Sequence, residues 1–250
     1  MTLKNKTIII TGASSGIGAA AAILFAESGA NVVLGARREA QLNETVAQIR
    51  ESNGNAVCLP GDVTDEAYAN ALVELAEKSF GGLDGAFNNA GTMGDMCSIP
   101  DMGRDNWRNV IAVNLDSGFF AAKAQIPALR RRGGGSVVFT SSFVGHTIGL
   151  PGMGAYAASK AGLIGLTQVL AVEHGSENIR VNALLPGGTM TPMAGDDAAF
   201  HDVVRGFHAL KRMAEPSEIA AAAQFLLSDE ASFVTGSAML VDGGNSICKL

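Results

Sequence analysis

The feature that most constrains the fold is a repeated alternation between short β-branched segments and longer segments with helical periodicity. Two neighbouring parallel strands need a crossover connection, usually a helix, so this alternation predicts parallel pairing. The strand segments are nearly continuous apolar runs, which is typical of a sheet that helices cover on both faces. The seven predicted strands lie near residues 7–10, 31–34, 55–59, 85–87, 136–140, 180–185 and 238–241.

The segments between the strands predict the helices and leave one insertion. No shift in composition and no linker rich in Pro, Gly or Ser divides the 250 residues. We therefore expect one doubly wound α/β domain over residues 1–250, a single-domain Rossmann fold with a seven-stranded parallel sheet and helices on both faces. Only residues 189–213 have no clear place in this pattern, and they form a candidate substrate lid. Helical periodicity covers Glu39–Glu51, Asp65–Phe80, Arg104–Arg132, Ala155–His174 and Pro216–Ser228.

Composition and charge exclude several classes of protein. With 47% hydrophobic and 17% charged residues, the chain is globular rather than disordered. The net charge of -6 gives no basic footprint for nucleic acid. The longest apolar run, residues 19–26, is shorter than the roughly 20 residues of a membrane-spanning helix, and the N-terminus passes into a strand without a signal-peptide cleavage site. We expect no nucleic-acid or membrane partner.

The cysteines and histidines indicate a reduced, metal-free protein. Cys58, Cys97 and Cys248 are scattered without a pairing pattern, which is expected in the cytoplasm. The four histidines form neither an HExxH motif nor a pattern with paired cysteines. We therefore expect cytoplasmic localisation and no metal site.

A glycine-rich stretch, TGASSGIG at residues 11–18, joins the first predicted strand to an alanine-rich helix. Gly12, Gly16 and Gly18 are spaced G-x-x-x-G-x-G, where the usual dinucleotide fingerprint is G-x-G-x-x-G. Both spacings serve a tight turn after a strand, close approach of backbone to a pyrophosphate, and free amides at a helix N-terminus. The stretch predicts a dinucleotide phosphate site, and the alternative is an ordinary glycine turn before a helix.

The sequence YAASK carries the candidate acid–base pair. Tyr156 and Lys160 are four residues apart, so they share one face of the predicted helix. A phenol with a pKa of about 10 is a poor acid or base at neutral pH, but an adjacent ammonium lowers that pKa. Tyr156 is then able to exchange a proton with an alcohol or carbonyl oxygen. Ser142, at the end of SVVFTSS, is placed to hydrogen-bond the reacting oxygen, with Ser141 as its rival.

These motifs resemble the short-chain dehydrogenase/reductase family in their order and spacing. The resemblance implies an enzyme that binds a nicotinamide dinucleotide and interconverts a carbonyl and an alcohol by hydride transfer. It assigns catalysis to Ser142, Tyr156 and Lys160, with Asn114 as the asparagine that holds a water in a relay to Lys160. The spacing of 14 residues from Ser142 to Tyr156 is one longer than is common, so the loop between them is expected to shape the pocket differently. The matching segments are TGASSGIG at 11–18, Asp62-Val63, NNAG at 88–91, Asn114, Ser142, YAASK at 156–160 and PGGTMTP at 186–192.

The resemblance also implies which residues hold the cofactor. Asn88 resembles the residue that fastens the sheet behind the cofactor, and Asp62 resembles the acid that contacts the adenine. The segment that begins at Pro186 resembles the loop that holds the nicotinamide carboxamide. The implied contacts are Gly12, Ser14, Ser15, Gly16, Ile17, Gly18, Arg37, Arg38, Asp62, Val63, Asn88, Ala90, Gly91, Tyr156, Lys160, Pro186, Gly187, Thr189 and Thr191.

Cofactor preference is usually set about 20 residues after the glycine loop, by an acid for the ribose 2′-hydroxyl or an arginine for a 2′-phosphate. The second predicted strand ends in LGARRE, so Ala36, Arg37 and Arg38 stand where an acid would favour NAD. Guanidinium groups form charge-assisted bonds with phosphate, so we predict NADP(H), with Arg37 ahead of Arg38. Ser15 is a departure, because some NADP-dependent members of the family carry a basic residue within the glycine loop.

The expected pocket wall indicates a small carbonyl or alcohol substrate that is apolar or mixed, although the same residues also suit a plain core. An acyl-carrier-linked 3-oxoacyl reductase is an alternative, because the basic triplet 130–132 is able to attract an acidic carrier protein. Such a triplet at a helix C-terminus is usually a solvated end, which favours the small substrate. The expected wall residues are His146, Leu150, Met153, Met93, Met190, Met193, Phe200 and Phe207.

The assembly and two further alternatives follow from the same resemblance. The tail LVDGGNSICKL and the helices at 104–132 and 155–174 resemble the interfaces of homotetramers. A non-enzymatic NADP(H)-binding sensor and an epimerase or dehydratase on the same fold are alternatives. The intact Ser142, Tyr156 and Lys160 favour an oxidoreductase, because a protein that only binds the cofactor needs no proton relay.

Overall fold

The computed structural model describes residues 2–248, and all seven strands lie in one parallel sheet. The prediction of a Rossmann fold with seven parallel strands is therefore confirmed, while residue 1 and residues 249–250 of the predicted domain lie outside the described residues. The strands are β1 (Thr7–Thr11), β2 (Asn31–Ala36), β3 (Asn55–Pro60), β4 (Gly85–Asn88), β5 (Gly135–Thr140), β6 (Ile179–Pro186) and β7 (Ala238–Val241).

The strand order β3-β2-β1-β4-β5-β6-β7 locates the ligand crevice. The chain builds outward from β1 in one direction through β3 and then in the other through β7, so the topology reverses beside β1. Open α/β sheets bind ligands outside the carboxyl ends of the strands at such a point. Helices pack on both faces: α1 (Gly16–Glu27), α2 (Glu39–Glu51), α3 (Glu66–Phe80), α4 (Arg104–Ile111), α5 (Ser117–Arg132), α6 (Gly154–His174), α7 (Ala198–Phe207) and α8 (Pro216–Leu227).

The residue pattern explains why the sheet is buried on both faces. Ile8 and Ile10 of β1 pack in a cluster with residues of α1, α2 and α8, whereas Ile9 packs with residues of α3, α5 and α6. Successive side chains of a strand point to opposite faces, so a continuous apolar run fills two cores at once. All three isoleucines are at most 1% exposed. The polar side chains of a functional site are therefore expected in the loops at the ends of the strands.

The single helix predicted over Arg104–Arg132 is interrupted. α4 ends at Ile111, a π-helical segment covers Ala112–Asp116, and α5 begins at Ser117. A π-helical turn takes up an extra residue and is frequent at functional sites. Asn114, which the sequence placed in the middle of a helix, lies in this segment.

One helical segment, Gly154–Glu177, is long and apolar enough to span a membrane by length and composition alone. It consists of α6 and the turn that follows, and it is not an uninterrupted apolar run, because Ser159, Lys160 and Thr167 lie within it. Leu163 and Leu170 of its inner face belong to the core cluster on the sheet. We therefore interpret α6 as a core helix of the domain.

Candidate active site

A cavity of about 490 Å³ opens at the carboxyl ends of the strands. The loops that follow the first six strands line it, together with the first turns of α6 and part of α7. This is the crevice that the strand order indicates. One continuous cavity therefore joins the glycine loop to Tyr156 and Lys160.

The glycine loop has its shape because side chains do not fit in it. Gly12 and Gly16 have positive φ angles of 69° and 54°. A Cβ atom on Gly12 would lie 3.0 Å from Cα of Ala90, and one on Gly18 would lie 2.3 Å from the carbonyl oxygen of Gly12. Gly16 and Ile17 at the start of α1 line the cavity, and the first turn has no acidic residue. The free amides of this turn are therefore available to an anion.

Arg38 extends from the end of β2 to the glycine loop. Its Nη2 donates hydrogen bonds to Oγ of Ser14 at 2.9 Å and to Oγ of Ser15 at 2.6 Å. All three residues line the cavity. A guanidinium and two hydroxyl groups at a helix N-terminus form a group of donors suited to phosphate.

Arg37 lies at the same rim but contacts a different element. Its Nη1 is 4.0 Å from Oδ2 of Asp62, and its side chain is 76% exposed. Hydrogen bonds from the backbone and the hydroxyl of Thr64 hold the pKa of the Asp62 carboxyl below its usual value. Sequence analysis put Arg37 ahead of Arg38, whereas Arg38 is the arginine that contacts the glycine loop.

Ser142, Tyr156 and Lys160 lie together at the other end of the cavity. Nζ of Lys160 is 5.6 Å from the centroid of the Tyr156 ring and donates a hydrogen bond to the carbonyl oxygen of Thr140 at 2.7 Å. Oγ of Ser142 accepts a hydrogen bond from the backbone N–H of Val144 at 3.1 Å, which leaves its own proton to be donated to the Tyr156 phenol or to a bound oxygen. The arrangement is able to place a hydroxyl donor, a phenol and a cation around one substrate oxygen.

The pKa of Tyr156 differs from the expectation drawn from the sequence. Burial raises the pKa of its phenol above the usual value, and hydrogen bonding with Ser142 acts in the opposite direction. The expected lowering by the ammonium of Lys160 is therefore not what dominates in this structure. Lys160 is itself 3% exposed, and burial lowers its pKa to about 8. Lys160 thus remains mostly protonated at neutral pH.

Asn114 does not line the cavity, and its side chain joins Thr92, after β4, to Ser159 of α6. Its Oδ1 accepts a hydrogen bond from the backbone N–H of Thr92, and its Nδ2 donates to the carbonyl oxygen of Thr92 and to Oγ of Ser159. Ser159 in turn donates to the carbonyl oxygen of Tyr156 at 2.7 Å. Both amide protons of Asn114 are therefore used within the protein.

Gly91 allows the loop after β4 to lie close to Asn114 and Lys160. A Cβ atom at this position would lie 3.2 Å from Oδ1 of Asn114 and 3.3 Å from Nζ of Lys160. A side chain on residue 91 would therefore push against both groups. Close packing therefore favours glycine at this position of NNAG, in addition to its place beside the cavity.

Most of the predicted site residues line the cavity, but three do not. Gly18 is buried behind the glycine loop, and Asn114 lies behind Gly91. Asn88 forms a reciprocal pair of hydrogen bonds with Gln125, each 2.9 Å long, in a second and smaller cavity. These three residues shape the site without facing the main cavity. Those that line it are Gly12, Ser14, Ser15, Gly16, Ile17, Arg37, Arg38, Asp62, Val63, Ala90, Gly91, Ser142, Tyr156, Lys160, Pro186, Gly187, Thr189 and Thr191.

The expected substrate wall needs two corrections. His146 is exposed on the loop after β5 and does not line the cavity, and Met190 does not line it either. Neither position is set by local sequence, because the path of a long loop depends on what it packs against. The other expected wall residues line the cavity, namely Met93, Leu150, Met153, Met193, Phe200 and Phe207.

The segment 189–213 contains the helix α7, and one face of this helix lines the cavity. Oδ1 of Asp197 caps α7 by accepting from the backbone N–H of residues 199 and 200. Phe200, Val204 and Phe207 line the cavity, whereas Val203 on the same helix is exposed. At the end of α7, Nδ1 of His208 bonds the carbonyl oxygen of Val204 at 2.7 Å, and its Nε2 accepts from the N–H of residue 188 at 3.0 Å. A single imidazole tautomer satisfies both bonds, so His208 ties α7 to the loop after β6.

Sequence reasoning missed several residues that line the cavity. Asn89 donates from its backbone to Oγ1 of Thr11 and accepts at Oδ1 from Oγ1 of Thr140, so it fixes the ends of three strands. Its position at the end of a strand was a usable signal. Asn245 also lines the cavity, but it comes from the segment after β7, and nothing in its neighbouring sequence indicated this.

The basic triplet at the end of α5 is fully paired. Each arginine forms an ion pair with an acidic residue at 2.6 to 2.8 Å. The positive charge is therefore neutralised locally and is less available to an acidic protein. The pairs are Arg130 with Glu177, Arg131 with Glu77 and Arg132 with Asp84.

A parallel sheet with a glycine loop and a Ser–Tyr–Lys group in one crevice defines a dinucleotide-binding oxidoreductase. A family model described as "Enoyl-(Acyl carrier protein) reductase" matches residues 12–246. The chain belongs to the short-chain dehydrogenase/reductase family.

Individual relatives cover almost the whole chain. It is 38% identical to cyclohexanol dehydrogenase of Acinetobacter sp. (strain SE19), over 96% of this chain and 94% of that protein. It is 40% identical to 2,5-dichloro-2,5-cyclohexadiene-1,4-diol dehydrogenase of Sphingobium indicum, over 97% of each chain. The crystal structure of levodione reductase superposes with a TM-score of 0.93 and 34% identity, over 99% of this chain and 100% of that one. The chain is therefore an oxidoreductase that acts on alcohols or carbonyls with a nicotinamide cofactor.

Proposed function

We propose that the protein is an NADP(H)-dependent oxidoreductase that interconverts an uncharged carbonyl compound and its alcohol by hydride transfer. The observation that carries this proposal is the meeting of Ser142, Tyr156 and Lys160 in the cavity that also contains the glycine loop. A phenol, a cation and a hydroxyl are the groups needed to exchange a proton with an oxygen on which charge develops.

The residues of the cavity fit a nicotinamide dinucleotide. A Cβ atom on Gly12 or Gly16 would lie 3.0 Å from its nearest neighbour, so the loop leaves bare backbone where a pyrophosphate binds. The loop after β6 supplies Pro186, Gly187 and Thr191 to hold the carboxamide end. When bound, the nicotinamide supplies or accepts the hydride.

Each catalytic residue has a separate role in the proposed reaction. Tyr156 donates a proton to the carbonyl oxygen during reduction and accepts it during oxidation. Because burial raises the pKa of its phenol, the nearby charge of Lys160 is needed to favour the phenolate. Ser142 donates its free proton to the reacting oxygen. Asn114 positions the strand-end loop, and a water on the π-helical main chain completes the relay to Lys160.

The decisive test compares the only two tyrosines of the chain. Wild-type protein is expected to oxidise NADPH in the presence of ketones, whereas Tyr156→Phe loses turnover by roughly a hundredfold or more and keeps its affinity for NADPH. Tyr68→Phe is the matched control, because the Tyr68 hydroxyl is bonded to the carbonyl of Leu59 outside the main cavity. Near-normal turnover in Tyr156→Phe would refute the mechanism. Bound NADPH without turnover of any ketone by the wild type would favour the sensor.

The preference for NADP(H) is proposed from the two arginines at the rim. Arg38, held by two serine hydroxyls, and the exposed Arg37 offer two guanidinium groups to a 2′-phosphate. Arg37→Asp and Arg38→Asp are each expected to reverse the ratio of kcat/KM with NADPH to that with NADH. Arg104→Asp, an exposed arginine outside the cavity, is the control with the same charge change. An unchanged ratio in both rim variants would contradict the assignment.

The substrate class is proposed from the apolar wall. Among residues 2–248, Lys160 is the one charged side chain that accompanies Met93, Leu150, Met153 and Phe207 at this end of the cavity. Two named relatives act, by their names, on six-membered carbocyclic alcohols, which supports an uncharged alicyclic substrate. The paired arginine triplet at 130–132 gives no support to the acyl-carrier alternative.

Exposed apolar side chains on the two long helices support the proposed assembly. Phe119 on α5, Val172 on α6 and Phe233 before β7 are 52%, 85% and 103% exposed, which supports burial of these faces in a homotetramer. Light scattering tests this, and a monomer would contradict it. The three cysteines are unpaired, which supports a cytoplasmic location.

A further inference from the structure

Asn245 is a polar side chain in the cavity to which the proposed mechanism gives no role. It begins the turn Asn245–Ile247 after β7 and is 7% exposed. It lines the same cavity as Ser142 and Tyr156. A buried carboxamide in such a place needs partners for two donors and an acceptor.

Within residues 2–248, the side-chain amide of Asn245 has no hydrogen-bond partner. Only its backbone takes part in the turn, by donating to the carbonyl oxygen of Asp242 at 3.0 Å. The carboxylate of Asp242 is already used, because it accepts from the backbone of Gly244 and Ser246. Asn245 lines the cavity, so a bound molecule is able to supply partners to this amide in place of water.

The neighbours of Asn245 fix it at the substrate end of the cavity. Oγ of Ser246 lies 2.8 Å from Oγ1 of Thr147 in the loop between β5 and α6, the loop that contains Ser142. On the other side, a Cβ atom on Gly244 would lie 2.7 Å from Cβ of Ala209, directly after α7. The segment is therefore held between the loop of Ser142 and the end of α7, away from Arg37 and Arg38.

We propose that Asn245 is a substrate-binding residue that recognises a second oxygen of the substrate. The inference rests on the proposed function, and it narrows the substrate class to apolar frameworks with two oxygen functions, such as diols, hydroxy ketones and diketones. A carboxamide suits both redox states, since its NH₂ donates to a carbonyl and its oxygen accepts from a hydroxyl. Leu150, Met153 and Phe207 line the same cavity, and an apolar wall favours an uncharged partner.

The test compares matched ketones with NADPH as reductant. The probes are cyclohexane-1,2-dione and cyclohexane-1,4-dione. The controls are cyclohexanone and 4-methylcyclohexanone, which carry a single oxygen atom. Asn245→Leu keeps the size of the side chain and removes its polar atoms. It is expected to lower kcat/KM for the better dione by roughly tenfold, the scale of one neutral hydrogen bond, and to leave the monoketones and the KM for NADPH within about twofold. Asn245→Gln is expected to restore part of the loss.

Three results would overturn the inference. They are an equal loss for diones and monoketones, a change confined to the KM for NADPH, and no change at all. Failure of the proposed function is seen separately, because the wild type would then reduce none of the four ketones. In that case the thermal stabilisation of the NADPH-loaded wild type and Asn245→Leu by each probe gives the same comparison without turnover. A selective loss of stabilisation by the diones would still support a role of Asn245 in binding.

Discussion

Replacement of Lys160 is expected to make the cofactor-free protein more stable while it abolishes activity. Lys160 is buried, and its pKa falls from the usual 10.5 to about 8 because burial disfavours the ammonium. This difference corresponds to about 3 kcal/mol of folding free energy at neutral pH, where both the folded and the unfolded protein carry the proton. Lys160→Met removes this cost and loses the hydrogen bond to Thr140, which contributes about 1 kcal/mol. We expect a net stabilisation of about 2 kcal/mol at pH 7.

The pH dependence gives the sharper test. The folded pKa of Lys160 lies below the unfolded value, so the penalty is fully present below about pH 8 and disappears as the pH rises from about 8 to 10.5. In this window the folded protein loses the proton while the unfolded chain retains it. The advantage of Lys160→Met over the wild type is therefore expected to fall from about 2 kcal/mol at pH 7 towards zero near pH 9.5.

Thermal denaturation of cofactor-free protein measures the effect. A change of about 2 kcal/mol corresponds to roughly 4–8 °C in Tm for a chain of this size. Lys4→Met is the matched control, because Lys4 is exposed, and its replacement is expected to change stability by less than about 0.5 kcal/mol. A Lys160→Met protein that is less stable than the wild type at pH 7, by an amount independent of pH, would refute the reasoning.

Three further predictions concern packing around the cavity. Gly18→Ala is expected to lower stability by about 1–3 kcal/mol, because its Cβ would lie 2.3 Å from the carbonyl oxygen of Gly12; an unchanged Tm would contradict this. Phe207→Ala is expected to raise the KM for ketones by roughly tenfold, and Val203→Ala on the outer face of α7 is not, so equal effects would argue against a lid at this position. His208→Leu leaves two half-buried backbone groups without partners and is expected to lower stability by about 1–2 kcal/mol in thermal denaturation; an unchanged Tm would contradict this.

Asn114 and Asn88 illustrate what a sequence motif leaves undetermined. Both residues belong to recognisable motifs, and both are close to the site. Neither faces the main cavity, because each uses its amide to join separate parts of the chain, Asn114 with Thr92 and Ser159 and Asn88 with Gln125. A sequence motif indicates that a polar residue has a role at its position. It does not show whether the side chain faces the cavity or the protein interior.

The electrostatic prediction for Tyr156 was wrong for a related reason. The spacing of Tyr156 and Lys160 correctly put the two side chains on one helix face, with the ammonium 5.6 Å from the ring. It carried no information on burial, which raises the pKa of Tyr156 and lowers that of Lys160. Desolvation depends on every element that covers the two residues, and those elements are distant in sequence.

The sequence by itself determined the seven strands, their parallel arrangement and the glycine loop, because periodicity and the lack of a side chain act over a few residues. It also determined the family, through short motifs in a fixed order. The tertiary structure alone decided the π-helical segment at Asn114, the contact of Arg38 with Ser14 and Ser15, and the position of Asn245 in the cavity. These features arise where segments far apart in the chain meet, and no local pattern encodes which surfaces will face each other.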